Sequence, residues 1–114
     1  MRLIGKNKLE KVKRKNKGNS ALIKAIDQLI NDIENANWKK SEDLKQSRID
    51  ADRVHNDGYY FFDIDIHRTL ILLEFDEIGE ATVVWVGSHQ EYEKIFKNNK
   101  NTIKKWLRVN EHIY

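Results

Sequence analysis

The sequence predicts an α+β fold in which two N-terminal helices precede an antiparallel sheet of three or four strands, with further helices at the C-terminus. Two observations carry this prediction. Apolar residues recur every three or four positions over about residues 21–36, which is the spacing of an amphipathic helix. Three runs rich in aromatic and branched residues then give the strand candidates 59–64, 68–75 and 81–86. The chain is expected to form a single domain, residues 1–114.

The N-terminal region is predicted to hold the first two helices. Residues 7–16 are highly charged, with Leu9 and Val12 three positions apart, which indicates a short amphipathic helix ending near Gly18. Asn19 or Ser20 then caps the longer helix. The apolar stripe of that helix is expected to face the core or the sheet, and consists of Leu22, Ile23, Ile26, Leu29, Ile30 and Ile33.

A polar connection leads from the helices to the sheet. Trp38 and Leu44 flank its charged centre and are expected to anchor it to the core rather than to bind a ligand. The segment 48–53, Arg-Ile-Asp-Ala-Asp-Arg, is interpreted as a connector rich in both charges. Its two arginines have two open interpretations, because they either hold phosphate groups or pair with the two aspartates between them.

Turn-forming residues divide the three strand candidates. The first strand is opened by a turn at residues 56–58, and 65–67 form a tight connection to the second strand. Residues 76–80 join the second and third strands as an antiparallel hairpin. Arg68 stands at the start of the second strand, where it either projects over the sheet or serves as an edge charge that opposes aggregation.

The third strand runs directly into a helix, and this junction carries the clearest local signal in the chain. Ser88 and Glu91 form an S-x-x-E capping box, in which each side chain accepts from the other residue's backbone N–H. His89 is then the first helical residue, where unpaired N–H groups and the helix dipole favour an anion. Two interpretations remain open for His89, namely a phosphate site and an ordinary surface histidine.

The C-terminal region is predicted to turn at 98–101 and to form a short helix over 102–108, with Trp106 buried. Residues 97–114 are expected to be a basic helical extension of the same domain. Positive charge is concentrated at the two ends of the chain, in residues 1–17 and 94–108, which suits a polyanionic partner or simply solvates helix faces.

The composition excludes several classes of site. There is no cysteine, hence no disulfide, thiol nucleophile or cysteine metal site. Phosphate-loop, dinucleotide-binding, zinc-protease and serine-hydrolase motifs are absent, and the four histidines lack metal-ligand spacing. No metal or other cofactor is therefore expected. No apolar run reaches membrane-spanning length and no signal sequence is recognised, so we expect a cytoplasmic protein without a membrane partner.

Three patches of the sequence resemble the HigB-type toxins of the RelE superfamily. The first is Trp38 followed by Asp-Leu-Lys at 43–45, and the second is Ala-Asp-Arg-Val-His-Asn at 51–56 running into the strand 60–64. The most specific is 84–94, Val-Trp-Val-Gly-Ser-His-Gln-Glu-Tyr-Glu-Lys, which is similar to the family's strand, glycine, Thr or Ser, His and Glu-Tyr pattern. The resemblance implies a RelE-like fold.

The resemblance also implies an activity and its partners. Proteins of this kind are mRNA interferases, which cut mRNA on the ribosome without a metal ion and are neutralised by an antitoxin, usually a helix-turn-helix protein. By position, Arg68 matches the family's phosphate-stabilising arginine, and His89 matches a basic catalytic residue two positions after the glycine. Tyr92 and Lys94 match the tyrosine and the basic residue that follow, and all four are therefore expected to be catalytic.

Further residues are expected to hold the RNA backbone, namely Arg53, His67, Lys104, Lys105 and Arg108. Tyr92 has a second interpretation, in which it packs on the sheet rather than meeting the RNA. Two other functions also remain open for the chain. One is a non-catalytic RNA- or ribosome-binding module, and the other is a gyrase-directed toxin like the ParE proteins, which share the superfamily fold.

Overall fold

A computed structural model describes residues 1–114 and contains five helices and one five-stranded sheet. The elements follow in the order β1 (Arg2–Ile4), α1 (Lys6–Lys15), α2 (Ser20–Glu34), α3 (Ser41–Ser47), β2 (Asp52–His55), β3 (Tyr59–Ile64), β4 (His67–Glu74), β5 (Glu80–Ser88), α4 (His89–Phe96) and α5 (Lys100–Val109). None of the helices combines the length and the apolar character that crossing a membrane would need.

The sheet has the strand order β1-β5-β4-β3-β2. Strands β2 to β5 pair antiparallel, whereas β1 pairs parallel with the first residues of β5. The predicted antiparallel sheet of three or four strands is therefore wrong in strand number and in the direction of one edge strand. Both missed strands are short and polar: β1 has three residues, and β2 starts inside the charged segment that was interpreted as a connector.

The two faces of the sheet support two separate hydrophobic cores. One face packs against α2, whose buried residues confirm the predicted apolar stripe apart from the half-buried Ile23. The other face packs against α4 and α5. Neighbouring residues of β3 divide between the faces, because side chains alternate along a strand: Tyr60 and Phe62 enter the first core, and Tyr59 and Phe61 the second.

The N-terminal helices follow the prediction closely. Asn19 caps α2 by accepting a 3.1 Å hydrogen bond from the backbone N–H of Leu22. A third helix, α3, was missed because its seven residues are too few to show a helical period. The two predicted anchors of this region are confirmed as buried, and the indole N–H of Trp38 donates to the Ser47 hydroxyl at 3.2 Å.

The C-terminal region is part of the second core. The helix α5 contributes Ile103 and Leu107, and the tail after it contributes Ile113. The Tyr59 hydroxyl donates to the backbone carbonyl of His112 at 2.9 Å, which ties the tail to the sheet. Trp106, which was predicted to be buried, is only partly buried: it packs against the second core, and its ring stacks on His112 with 5.5 Å between the ring centroids.

Candidate active site at one end of the sheet

The register of the sheet brings the start of β4 beside the end of β5. Arg68 lies opposite Gly87, and His67 lies opposite Ser88. Since α4 begins at His89, the N-terminus of that helix meets the start of β4 at the same end of the sheet. The backbone N–H of His89 donates to the carbonyl of Ile66 at 3.0 Å, which fixes the helix start against the β3–β4 turn.

Three side chains hold the guanidinium of Arg68. Its Nε donates to a carboxylate oxygen of Asp63 at 3.0 Å, and Asp63 is its cross-strand neighbour on β3. Its central carbon lies 4.5 Å from the ring centroid of Tyr92 and 4.9 Å from that of Phe61, within cation–π range. The side chain is only 11 % exposed, and its two terminal nitrogens make no hydrogen bond with the protein. These nitrogens remain available to an anion.

Tyr92 lies in the second core rather than at the surface. Its ring meets Phe61 edge-to-face, with centroids 4.9 Å apart, and its hydroxyl donates to the side-chain oxygen of Asn98 at 2.8 Å. Burial raises the pKa of the Tyr92 hydroxyl, while the adjacent Arg68 charge acts in the opposite direction. The residue is 2 % exposed, so its main contact with the site is the face that it offers to Arg68.

The predicted capping box is confirmed at the start of α4. The Ser88 hydroxyl accepts from the backbone N–H of Glu91 at 3.1 Å, and the Glu91 carboxylate accepts from the backbone N–H of Ser88 at 2.9 Å. The hydrogen bond from the Ser88 backbone is the largest factor lowering the pKa of Glu91. His89 is exposed in the first turn, where a helix N-terminus attracts negative charge.

His67 lies on the opposite face of β4 from Arg68, close to the same helix start. Its Nδ1 is buried and has no hydrogen-bond partner. Burial lowers the pKa of His67, and the charge of His89 adds to this effect, whereas Glu91 and Asp65 oppose it. The ring therefore favours the neutral form, which makes it a hydrogen-bonding group rather than a cation at this end of the sheet.

The other predicted site residues are dispersed. Lys94 is exposed on α4, and the exposed α5 residues are Lys104, Lys105 and Arg108. Arg53 lies on the edge strand β2, where it donates to the carbonyl of Asn56 at 3.0 Å, in a surface groove that also includes Lys39 and Lys40. The structure therefore brings together His67, Arg68, Tyr92 and the helix start that carries His89, and it places Arg53 elsewhere.

For Arg48, the ion-pair interpretation is the one the geometry favours. It lies 2.8 Å from a carboxylate oxygen of Asp50 and 3.2 Å from one of Asp32. Asp50 in turn accepts from the backbone N–H of Asp63 at 2.9 Å. Arg48 therefore stabilises, through Asp50, the position of Asp63, whose carboxylate accepts the hydrogen bond from Arg68.

Sequence analysis singled out Tyr92 but not the other two residues that hold Arg68, Phe61 and Asp63. The tight turn at 65–66 was the available signal, because a turn of that length makes Asp63 and Arg68 direct cross-strand neighbours.

The site is an open surface rather than a cavity. The four surface grooves, including one of about 450 Å³ between α2 and α3, are lined by neither Arg68 nor His89. No three His, Asp or Glu side chains converge in a way that would hold a metal ion. An exposed end of a sheet suits a long, flexible polymer better than a small enclosed ligand.

Comparison with known proteins gives one family. The sequence model of HigB_toxin, described as the RelE-like toxic component of a toxin–antitoxin system, matches residues 23–95. This range begins within α2 and ends in α4, so it includes the whole arrangement around Arg68 and leaves out α5. No curated protein matches the chain.

Proposed function

The chain belongs to the HigB family of RelE-like toxins, and we propose that it is a ribosome-dependent mRNA endonuclease that inhibits translation in the cytoplasm. The family implies an antitoxin as partner, and we propose a helix-turn-helix protein in that role. The observation that carries the proposal is the Arg68 guanidinium, held from three sides with its terminal nitrogens free, at the sheet end where α4 begins with an exposed His89.

The proposed cleavage proceeds by transfer within the RNA. A general base takes the proton from a ribose 2′-OH, and that oxygen attacks the adjacent phosphorus. The P–O5′ bond breaks, and a general acid protonates the departing 5′-oxygen, leaving a 2′,3′-cyclic phosphate and a 5′-hydroxyl. Arg68 would stabilise the charge that develops on the phosphorus oxygens, which is worth about 10²- to 10³-fold for one well-placed donor. This route needs no metal ion.

His89 is proposed as the general acid or base. It is exposed and set at a helix start that attracts phosphate, and an imidazole can both accept and donate a proton. A positioned histidine in such a role contributes about 10²- to 10⁴-fold to the rate. Tyr92 is proposed to act by fixing Arg68, since its hydroxyl already donates to Asn98 and its ring stacks on the guanidinium.

The exposed cations are proposed to hold the RNA and the ribosome. Lys94 follows His89 on α4 and is the nearest of them along the chain. The cations of α5, Lys104, Lys105 and Arg108, are expected to meet phosphates at a distance from the cleaved bond. Arg53, on the far edge strand, would contact a different stretch of RNA, and a neutral His67 would donate or accept a hydrogen bond beside His89.

The test is induced expression in a growing bacterium, with mapping of new mRNA 5′ ends. Wild type is expected to arrest growth and to produce codon-phased cuts within reading frames. His89→Ala and Arg68→Lys are expected to abolish the cuts while ribosome co-sedimentation persists, because the lysine ammonium cannot reproduce the planar guanidinium that contacts both rings and presents several N–H donors. Lys24→Gln, an exposed change on α2, serves as the control that keeps full toxicity.

Two results would redirect the assignment. Growth arrest without new 5′ ends, together with altered DNA supercoiling, would indicate a gyrase-directed toxin. Ribosome binding that blocks translation without any cleavage, unaffected by His89→Ala, would indicate a non-catalytic binding module.

A further inference from the structure

One edge of the sheet is only partly covered. Strand β1 pairs with β5 at Glu80, Ala81 and Thr82 and then ends, while β5 continues to Ser88. Beyond Thr82, β5 has β4 on one side and no strand on the other. No turn or loop backbone hydrogen bond involves residues 84–87. About four residues of strand edge, roughly 13 Å long, therefore lack a partner strand on this side, and the backbone groups directed away from β4, those of alternate residues, are unpaired.

A basic helix face borders this edge. Between α1 and β5 lies a groove of about 320 Å³, and its lining residues are Lys8, Lys11, Val12, Lys15, Val84, Trp85 and Val86. The three lysines are exposed and make no ion pair, in contrast to Lys6 and Lys13 of the same helix. No carboxylate lines the groove. It therefore combines free positive charge, apolar side chains and an unpaired strand edge.

We propose that this groove binds an extended acidic peptide segment of a partner protein, which pairs with the exposed edge of β5 as an added strand. Side chains on alternate positions of a strand stand about 7 Å apart on one face. The three lysines at i, i+3 and i+7 are spaced at about 5 and 6 Å along α1, close enough to meet carboxylates at alternate peptide positions. The remaining peptide side chains, on the other face, would pack beside Trp85.

Two other occupants fit less well. A second copy of this chain, paired edge to edge, would bring two sets of three lysines together, and edge lysines are a common defence against such pairing. Single-stranded RNA would satisfy the lysines but would leave the backbone N–H and C=O groups of the edge without the regular partners that a peptide strand supplies. The inference does not depend on the cleavage activity.

The test uses the full-length protein and a blocked peptide of six residues, alternating glutamate and valine. Binding is measured by fluorescence anisotropy, and backbone amide signals of 84–87 are followed by NMR. We expect saturable binding with slowed amide exchange at the alternate positions whose N–H groups point away from β4. The triple variant Lys8→Gln/Lys11→Gln/Lys15→Gln should weaken binding at least tenfold. The matched triple Lys24→Gln/Lys45→Gln/Lys100→Gln, with the same charge change elsewhere on the surface, should stay within twofold.

A second peptide separates strand pairing from charge attraction. It keeps the glutamates and valines but carries N-methyl groups on alternate backbone nitrogens, which prevents pairing with β5, and it should bind at least tenfold more weakly. Equal binding of both peptides would overturn the proposal. So would the absence of any peptide binding, which would leave the lysines as protection of the edge, or tighter binding of a hexanucleotide RNA with the same dependence on the three lysines.

Discussion

At the scale of single residues, the chemistry of Arg68 depends on neighbours distant in sequence as well as near. Asp63 fixes the guanidinium through Nε, and the rings of Phe61 and Tyr92, which meet each other edge-to-face, both contact it. Such an arrangement holds an arginine ready for a phosphate while its terminal nitrogens stay free. The sequence placed Arg68 at a strand start, but the stacking depends on the packing of α4 over β3, which local spacing does not encode.

The hydroxyl and the ring of Tyr92 should have separable roles. We expect Tyr92→Phe to keep mRNA cleavage within about threefold of wild type, because the ring still stacks on Arg68, and to lower the free energy of unfolding by about 1 kcal/mol through loss of the bond to Asn98. Denaturant unfolding and 5′-end mapping measure the two effects. A hundredfold loss of cleavage in a folded Tyr92→Phe variant would instead make the hydroxyl a catalytic group.

The burial of His67 should appear in the pH dependence of stability. Its pKa in the folded protein lies below the ordinary value of 6.5, so in the interval between the two values the unfolded chain binds more protons. Its contribution to stability is therefore complete above about pH 6.5 and is lost as the pH falls through the lowered pKa. We expect wild type to lose more unfolding free energy than His67→Gln between pH 7.5 and 5. If the unfolding free energies of wild type and His67→Gln fell in parallel over this pH range, the His67 ring would not be desolvated in the folded protein.

At the scale of elements, the junction between β5 and α4 positions the helix start. Its capping box was predictable in full, because Ser88 and Glu91 interact across only three residues. The close packing of Gly87 was not predictable in this way. A Cβ at this glycine would lie 2.6 and 2.8 Å from two carbons of the Trp85 ring on the same strand, and that ring is held in place by Phe96 of α4, so a side chain is excluded by the position of the ring and not by backbone conformation.

Substituting Gly87, near the end of β5, should disturb the site because the start of α4 follows it directly. We expect Gly87→Ala to lower the free energy of unfolding by about 1–3 kcal/mol, the usual cost of overpacking, because the Trp85 ring is already packed edge-to-face against Phe96. Cleavage should fall as the helix start shifts. Gly18→Ala is the control: its Cβ would meet nothing within 4 Å, so it should leave stability unchanged or slightly raised. Thermal unfolding of both variants measures the difference. Equal melting temperatures for Gly87→Ala and Gly18→Ala would contradict the expected loss of stability at Gly87.

At the scale of the whole molecule, the long periodic elements were predictable and the edges of the sheet were not. The helix α2 and strands β3 to β5 carry strong apolar patterns, whereas β1 and β2 are strands only because neighbouring strands recruit them. The existence of a second core could not be predicted either. It depends on α5 crossing back over the sheet, and the family match ends before that helix.

The extension should therefore be needed for folding. Removing residues 97–114 deletes Ile103, Leu107 and Ile113 from the second core and uncovers the fully buried ring of Phe96. Each lost aliphatic side chain contributes about 1.5–3 kcal/mol, so together they approach the typical 5–15 kcal/mol stability of a whole domain. We expect the 1–96 fragment to lack a cooperative thermal transition and to show a collapsed amide NMR spectrum.

A full-length variant separates this structural role from the proposed contacts with RNA. Lys104→Gln/Lys105→Gln/Arg108→Gln removes three exposed charges of α5 and leaves its buried face intact. We expect this variant to melt within about 2 °C of wild type, since surface substitutions rarely exceed 0.5 kcal/mol, and to bind ribosomes more weakly with a shallower salt dependence. If the 1–96 fragment melts cooperatively at the wild-type temperature, α5 is an appendage to a core that folds without it. In that case the partly buried Trp106 and the charges of the helix, rather than its buried Ile103 and Leu107, would have to account for its presence.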